Sequence, residues 1–324
     1  MSALRVAVWG LGPHAVRKIL PAIAACPRLR LSGVCSRSPE TVATQAALWS
    51  CTGWPEAERM LADDEVDVVY VCTPIGLHAE HGRAVLRAGK HLWCEKPLAT
   101  SLDETLELFG IAERKRLSVC EGMMYLHHPH FQALQDAVTS GRLGTVLSVG
   151  SRFGIPRLDY ASFRADPALG GGALFDVGCY PISAIHTLFP DGDTGVVTSR
   201  VDRRDGSAVD SDGTTVLEVA GGVTVHLEWR INCAYRNEIT VWGTEGSVTT
   251  HQIFSKPPTY VPELEFRDLR GVAAIETSVA ADHFVTMLQF FADVTTGKAD
   301  GAAERTRIVR TVKVMDEIWT GSKE

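Results

Sequence analysis

The stretch LRVAVWGLGPHAVRKILPAIAAC, residues 4–26, limits the choice of fold more than any other part of this 324-residue chain. Leu4 to Trp9 read as a buried strand. Val16, Ile19, Leu20 and Ile23 then fall at i, i+3, i+4 and i+7, one face of a helix. Between them stands Gly10-Leu11-Gly12-Pro13-His14-Ala15, the Gly-x-Gly-x-x-Ala form of a dinucleotide-binding turn. Gly10 permits the tight turn, Gly12 lets the backbone approach a pyrophosphate, and Ala15 keeps helix and strand close. The helix N-terminus that follows offers amide donors and a positive dipole end to phosphates. A glycine pair of this kind also makes a plain structural turn. Its place between a strand and an amphipathic helix is what favours the nucleotide reading.

The next strand, LRLSGVCSRS, ends on Ser36 and Arg37, with no acid before Glu40. An acidic residue here would bind the ribose 2′-hydroxyl of NAD, whereas arginine accommodates a 2′-phosphate. The pair favours NADP(H), with NAD(H) still open. The competing reading of Arg37 is a solvated strand-end charge.

Alternation continues: VDVVYVCTP as a buried strand, GLHAEHGRAVLRAG as a helix ended by Gly89, KHLWCE as a strand. SLDETLELFGIAERK is a helix opened by a Ser101…Glu104 capping box, and LSVCEGM one more strand. This spacing predicts a doubly wound parallel sheet with its ligand beyond the carboxyl ends of the strands. Thr73-Pro74 and Glu95-Lys96-Pro97 stand at such ends. The second of these is unusual. A buried strand stops on a residue that is rarely buried unpaired and on one that cannot donate to a ladder. A solvated Glu95–Lys96 pair would explain it; the strand-end position points instead to a lysine at the mouth of a crevice.

From about residue 125 the pattern changes. GVTVHLEWRIN alternates, with Val223, Val225, Leu227, Trp229 and Ile231 on one face and Thr224, His226, Glu228 and Arg230 on the other. Such alternation means a half-covered antiparallel strand. Less regular runs occur near 146–153, 196–202, 215–219, 237–242 and 246–250, and the C-terminal stretch is helical again. The expectation is an α/β Rossmann-type N-terminal domain, residues 1–123. An α+β C-terminal domain, 124–324, carries a large, mostly antiparallel, open-faced sheet.

A formal charge of −7 argues against nucleic acid or an anionic membrane as the main partner. The eight cysteines are scattered, with no Cys-x-x-Cys pair, so neither a disulfide framework nor a zinc site is expected. No apolar stretch is expected to approach membrane-spanning length, and no signal peptide is read at the start. The reading is a reduced, cytoplasmic protein. His127, His128 and His130 lie close enough to suggest metal, but no carboxylate or thiol at ligand spacing accompanies them, and no metal is expected.

The fingerprint, Thr73-Pro74 with Leu77 and His78, the Glu95-Lys96-Pro97 turn and FRADPALGGGALFDVGCYPISAIHTLF at 163–189 together resemble the Gfo/Idh/MocA oxidoreductase family over most of the chain. The resemblance implies hydride transfer between NADP(H) and a sugar or sugar-derived carbonyl or alcohol. YLHHPHF contains an LHHP segment similar to one in the family's nucleotide-sugar ketoreductases, which points to a nucleotide-linked keto-sugar. A trans-dihydrodiol or xylose-type dehydrogenase and a non-catalytic dinucleotide-sensing regulator on the same fold are the alternatives. Gly170-Gly171-Gly172 leads into a helix with Asp176 and Tyr180 one turn apart on one face, and Pro181 should kink it. The tyrosine places the chain with the family's tyrosine-type members.

Tyr180 is then proton donor or acceptor, Lys96 electrostatic stabiliser and proton partner, and Asp176 orients substrate hydroxyls. The first two roles could be exchanged, and a core aromatic is the plain reading of Tyr180. Glu95 orients Lys96 or contacts the cofactor. The implied cofactor site comprises Gly10, Gly12, Pro13, His14, Ser36, Arg37, Cys72, Thr73, Pro74, His78, Glu95, Lys96, Pro97 and Arg164. For Arg164 a solvated position is the other reading. The resemblance also implies a homodimer or homotetramer through the open sheet face.

Overall fold

The structure, a computed structural model, describes residues 3–156, 163–204 and 206–322. It forms two compact units. One runs to Met123 and takes in Phe284–Arg305; the other comprises Met124–His283 and the segment from Thr306.

The first unit holds six parallel strands among the described residues: β1 Leu4–Trp9, β2 Leu29–Cys35, β3 Thr52–Trp54, β4 Val68–Val71, β5 His91–Cys94 and β6 Val119–Glu121. Their order is β3-β2-β1-β4-β5-β6. Val-Val-Tyr-Val of β4 is buried at every position, as a strand covered on both faces must be. The order reverses between β1 and β4, so the crevice for a ligand opens beyond their carboxyl ends. Helices α1 Leu20–Ala25, α2 Pro39–Trp49, α3 Ala57–Leu61, α4 His78–Arg87 and α5 Leu102–Lys115 accompany the strands.

The expected first helix is not α-helical throughout: Ala15–Ile19 form a π turn that passes into α1, where Pro21 stands within the first two positions. Ile19, Leu20 and Ile23 are buried as the spacing required, while Val16 is only half-buried. At α5, Ser101 Oγ accepts from the Glu104 amide at 3.3 Å, the first half of the capping box. The Glu104 carboxylate instead meets Arg83 and Thr100 Oγ1, both at 3.5 Å.

The segment Phe284–Arg305 lies in the C-terminal stretch of the sequence yet packs with the first unit. Within it, Phe291 meets Trp93 of β5 with ring centroids 5.5 Å apart, and Trp93 Nε1 donates to Thr295 Oγ1 at 3.1 Å. Phe284, Met287, Leu288 and Phe291 form its buried stripe.

The second unit is built on eight strands among the described residues: β7 Val146–Ile155, β8 Thr194–Asp202, β9 Asp212–Val219, β10 Val223–Ile231, β11 Arg236–Gly243, β12 Gly246–His251, β13 Glu263–Asp268 and β14 Ala273–Thr277. The order is β14-β13-β12-β11-β7-β10-β9-β8, antiparallel except for β7 beside β10. Helix α6, Pro129–Thr139, precedes the sheet. A π turn, Leu174–Gly178, runs into α7, Cys179–Leu188. The β10 alternation holds: Val225, Leu227 and Trp229 are at most 1% exposed while His226 faces out. Gly178 brings α7 onto this face, since a Cβ there would stand 3.1 Å from the Trp229 ring.

One expectation is corrected. Pro167–Leu188 is 22 residues long and apolar enough, at a mean hydropathy of 1.3, to match a membrane span. Its apolarity has a different use: 89% of that window is buried inside the protein, as in a core helix packed on a sheet.

Candidate active site

The crevice end of the first unit is assembled by strand ends. The Gly10 amide donates to Cys35 O at 2.8 Å and the Cys72 amide to Trp9 O at 2.7 Å, so the exits of β1, β2 and β4 lie against one another. Gly10 has φ +105°, and a Cβ there would come within 2.7 Å of the Cys72 carbonyl group. No other residue fits. Gly12 differs: a Cβ on it would meet no protein atom within 4 Å. The chain itself makes no demand for glycine there, which is what a loop shaped for close approach of a pyrophosphate should show. The residues present therefore fit a dinucleotide, with Gly12 and the helix start after Pro13 to hold its phosphates.

Ser36 and Arg37 follow β2 directly; Ser36 is half-buried and Arg37 exposed. Two residues that the sequence reading did not single out share this end. Trp9 stacks on His81 with centroids 3.9 Å apart and planes at 19°, and His81 Nδ1 lies 2.9 Å from Thr73 Oγ1. Burial pushes the His81 imidazole below its ordinary pKa, and the Arg37 charge adds to this. Neither was legible because Trp9 reads as the end of a core strand and His81 as one more residue of a helix face.

The Glu95-Lys96-Pro97 turn is fastened from several sides. Glu95 Oε1 accepts from Tyr70 OH at 2.9 Å and lies 3.0 Å from His14 Nε2, while the Lys96 amide donates to Glu95 Oε2 at 3.3 Å. Burial pushes the Glu95 carboxyl up, but His14 and Lys96 outweigh it and hold it below the usual carboxylate range. Glu95 thus ties His14 of the glycine-rich turn to the backbone of Lys96. The Lys96–Pro97 bond is cis. His78, fully buried, spans the two strand exits: Nδ1 lies 2.8 Å from Pro97 O and Nε2 2.9 Å from Thr73 O. Glu121 Oε1 accepts from the Leu98 amide at 2.8 Å. Lys96 itself is half-buried.

In the second unit, Gly171 and Gly172 make a turn that leaves no room for side chains. The Gly171 amide donates to Asp166 O and the Gly172 amide to Arg164 O, both at 3.0 Å. A Cβ on Gly171 would come within 2.5 Å of Arg164 O. Arg164 Nε donates to Asp176 Oδ2 at 2.6 Å, so Arg164 is paired with the carboxylate, not simply solvated. Asp176 lies in the π turn and Tyr180 in α7, each 7% exposed. Tyr180 is ringed by aromatics, Phe153 at 5.0 Å and Tyr125 and Phe254 at 5.8 Å, and its hydroxyl lies 3.8 Å from Met124 Sδ. Tyr125 OH reaches Tyr180 O at 3.1 Å and Ser183 Oγ at 2.8 Å.

The histidine trio is interior. His128 Nδ1 caps α6 by accepting from the His130 amide at 2.9 Å, and His130 Nε2 meets Thr250 Oγ1. Burial pushes His127, His128 and His130 down to about 3, 4 and 2, with Arg307 assisting at the first and Lys256 at the other two.

Residues 4–123 match the oxidoreductase family with an NAD-binding Rossmann fold, GFO/IDH/MocA, and residues 131–249 match the GFO/IDH/MocA C-terminal domain. A dTDP-3,4-didehydro-2,6-dideoxy-alpha-D-glucose 3-reductase of Saccharopolyspora spinosa is 34% identical over 255 residues, 78% of this chain and 76% of that protein. A D-xylose 1-dehydrogenase (NADP(+)) of Haloferax volcanii is 31% identical over 318 residues, covering 98% and 96%. Among solved structures, a 3-ketoreductase from Actinomadura kijaniata in complex with NADP and TDP-benzene superposes with a TM-score of 0.92 at 31% identity, covering 99% of this chain and 98% of that one.

Proposed function

The chain belongs to the GFO/IDH/MocA oxidoreductase family, and on that premise we propose that it reduces or oxidises a sugar-derived carbonyl or alcohol with NADP(H), a nucleotide-linked keto-sugar being the substrate best supported. Its membership makes it an NAD(P)-dependent oxidoreductase. The substrate class rests on the keto-sugar reductase and xylose dehydrogenase relatives and on the solved 3-ketoreductase that holds NADP and TDP-benzene. NADP(H) is supported by that same complex and by Ser36-Arg37 at the end of β2, where an NAD enzyme would carry an acid.

The observation that carries the reading is the Glu95-Lys96-Pro97 turn, locked by Tyr70, His14, His78 and Glu121 at the carboxyl end of β5. When bound, the coenzyme supplies or receives the hydride. The protein must then stabilise charge on the carbonyl oxygen and move a proton. In this reading Tyr180 gives or takes that proton, Lys96 stabilises the oxyanion, and Asp176, steadied by Arg164, orients substrate hydroxyls. Lys96 and Tyr180 could exchange roles. Gly10, Gly12, Pro13, His14, Ser36, Arg37, Cys72, Thr73, Pro74, His78, Glu95 and Pro97 hold the coenzyme or shape its crevice. A homodimer or homotetramer through the outer face of the second sheet is part of the proposal: Trp242 of β11 is 60% exposed and Ile275 of β14 63% exposed.

The test is the loss of NADPH absorbance with TDP-linked keto-sugars, free keto-sugars and α-dicarbonyls, and the reverse reaction with xylose and diols. Turnover of the TDP-linked ketones at a kcat/KM well above that for free sugars is expected. Tight NADPH binding with no turnover across the panel would move the protein to the sensing reading.

A further inference from the structure

The three-glycine turn is held from beneath by a residue that the scheme above does not use. Asp210, fully buried, stands two residues ahead of β9. Its Oδ2 accepts from the Leu174 amide at 2.7 Å, and its carbonyl accepts from the Ala173 amide at 3.1 Å. Both amides belong to the first turn of a helix, where backbone donors have no partner within the helix itself. A carboxylate there also faces the positive end of the helix dipole. Gly172 has φ +115°, and a Cβ on it would stand 2.0 Å from Asp210 Oδ1. The glycine is therefore required twice, by its own conformation and by the carboxylate lying against it.

This turn carries both candidate side chains of the second unit. Asp176 follows Leu174 by two residues and Tyr180 by six. Arg164 grips the same turn by another route, through its carbonyl to the Gly172 amide and its guanidinium to Asp176. We infer that Asp210 is a positioning residue for the reaction: by fixing where the helix begins, it sets the direction in which Asp176 and Tyr180 are presented. The inference rests on the oxidoreductase reading and adds to it a residue distant in sequence from both side chains it serves.

The experiment compares Asp210→Ala, which removes the side-chain acceptor, with Asp210→Asn, which keeps one of similar shape. Two quantities are read: kcat and KM for NADPH and a TDP-linked keto-sugar, and hydrogen exchange of the peptide spanning residues 172–180. A displacement on the order of an ångström at reacting groups costs roughly 10- to 100-fold. Asp210→Ala should therefore lower kcat by that order, leave KM for NADPH nearly unchanged and lose protection at Leu174. Asp210→Asn should restore most of both. If the alanine variant does not accumulate, Asp210→Ser takes its place in the same comparison. Wild-type kcat in a variant that has lost protection would overturn the proposal, because the cap would then stabilise without positioning. Absence of turnover in the wild type would sink the oxidoreductase reading instead. Exchange then still decides on Asp210, and unchanged protection at Leu174 in the alanine variant overturns the inference.

Discussion

Lys96 and Tyr180 sit in different surroundings, so their removal should register differently. Lys96 is half-buried on a turn whose shape is set by Glu95 and His78, so Lys96→Met should leave that turn in place. Turnover should fall by roughly 10²–10⁴ with NADPH affinity retained in a fluorescence titration. A loss of only a few-fold would remove Lys96 from the chemistry. Tyr180→Phe keeps the ring against Phe153, Tyr125 and Phe254. It should lower kcat without moving Tm; equal rates across pH would make Tyr180 a packing residue and give the proton to Lys96. Coenzyme choice belongs to Ser36 and Arg37. A guanidinium–phosphate contact contributes about 1.5–3 kcal/mol, or roughly ten- to a hundred-fold in preference. Arg37→Ala should raise KM for NADPH by that order and leave NADH nearly unaffected. Ser36→Asp should go further by adding repulsion. A wild type that favours NADH would refute both. At this scale the glycines, the strand-end lysine and the arginine were legible because each breaks a local pattern. Tyr70 and Asp210 were not, since each acts on a partner remote in sequence: Tyr70 reads as one more buried strand residue, and Asp210 as part of a loop.

Among the elements, both π turns run into a proline within three residues, Ala15–Ile19 ahead of Pro21 and Leu174–Gly178 ahead of Pro181. A proline ring crowds the carbonyl four residues back, and a wider turn gives that carbonyl room. At Pro181 the sequence suggested a kink, not a change of helix type, and around Pro21 the apolar spacing suggested an ordinary helix. The β10 alternation was plain because one face is buried and the other is not. β14 was invisible for the opposite reason: all five of its residues are exposed, so no period-2 signal arises. β3, three residues long, is too short for any pattern. His78 links two such elements. With burial pushing its pKa down, its carbonyl contacts at the exits of β4 and β5 hold it in place. A neutral ring donates to one of the two carbonyls, so His78→Leu should cost roughly 1–3 kcal/mol for the carbonyl that loses that donor. Denaturant unfolding should report that loss together with a raised KM for NADPH; an unchanged midpoint would mean the ring is not a brace.

For the whole molecule, the interior imidazoles set the acid limit. Burial holds His127, His128, His130 and His186 at about 3, 4, 2 and 3, against an ordinary value of 6.5. Below pH 6.5 the unfolded chain takes up protons that the folded chain refuses, so stability falls as the pH drops from about 6.5 towards 4. Asp210 works the other way: burial lifts its carboxyl to about 6, which favours the fold as the pH falls. One carboxyl does not offset four imidazoles. Tm should be lower at pH 5 than at pH 7.5, and a Tm that rises over that interval would contradict the assignment of neutral interior rings. The return of Phe284–Arg305 to cover Trp93 has a consequence during synthesis. A nascent chain that has just released Met123 has every strand of its first sheet but lacks the lid over β5, and about 160 further residues must emerge before that lid arrives. The first unit is thus begun first and closed late. A fragment ending at Met123 should aggregate or bind a hydrophobic dye, and adding the 284–305 peptide in trans should suppress that binding.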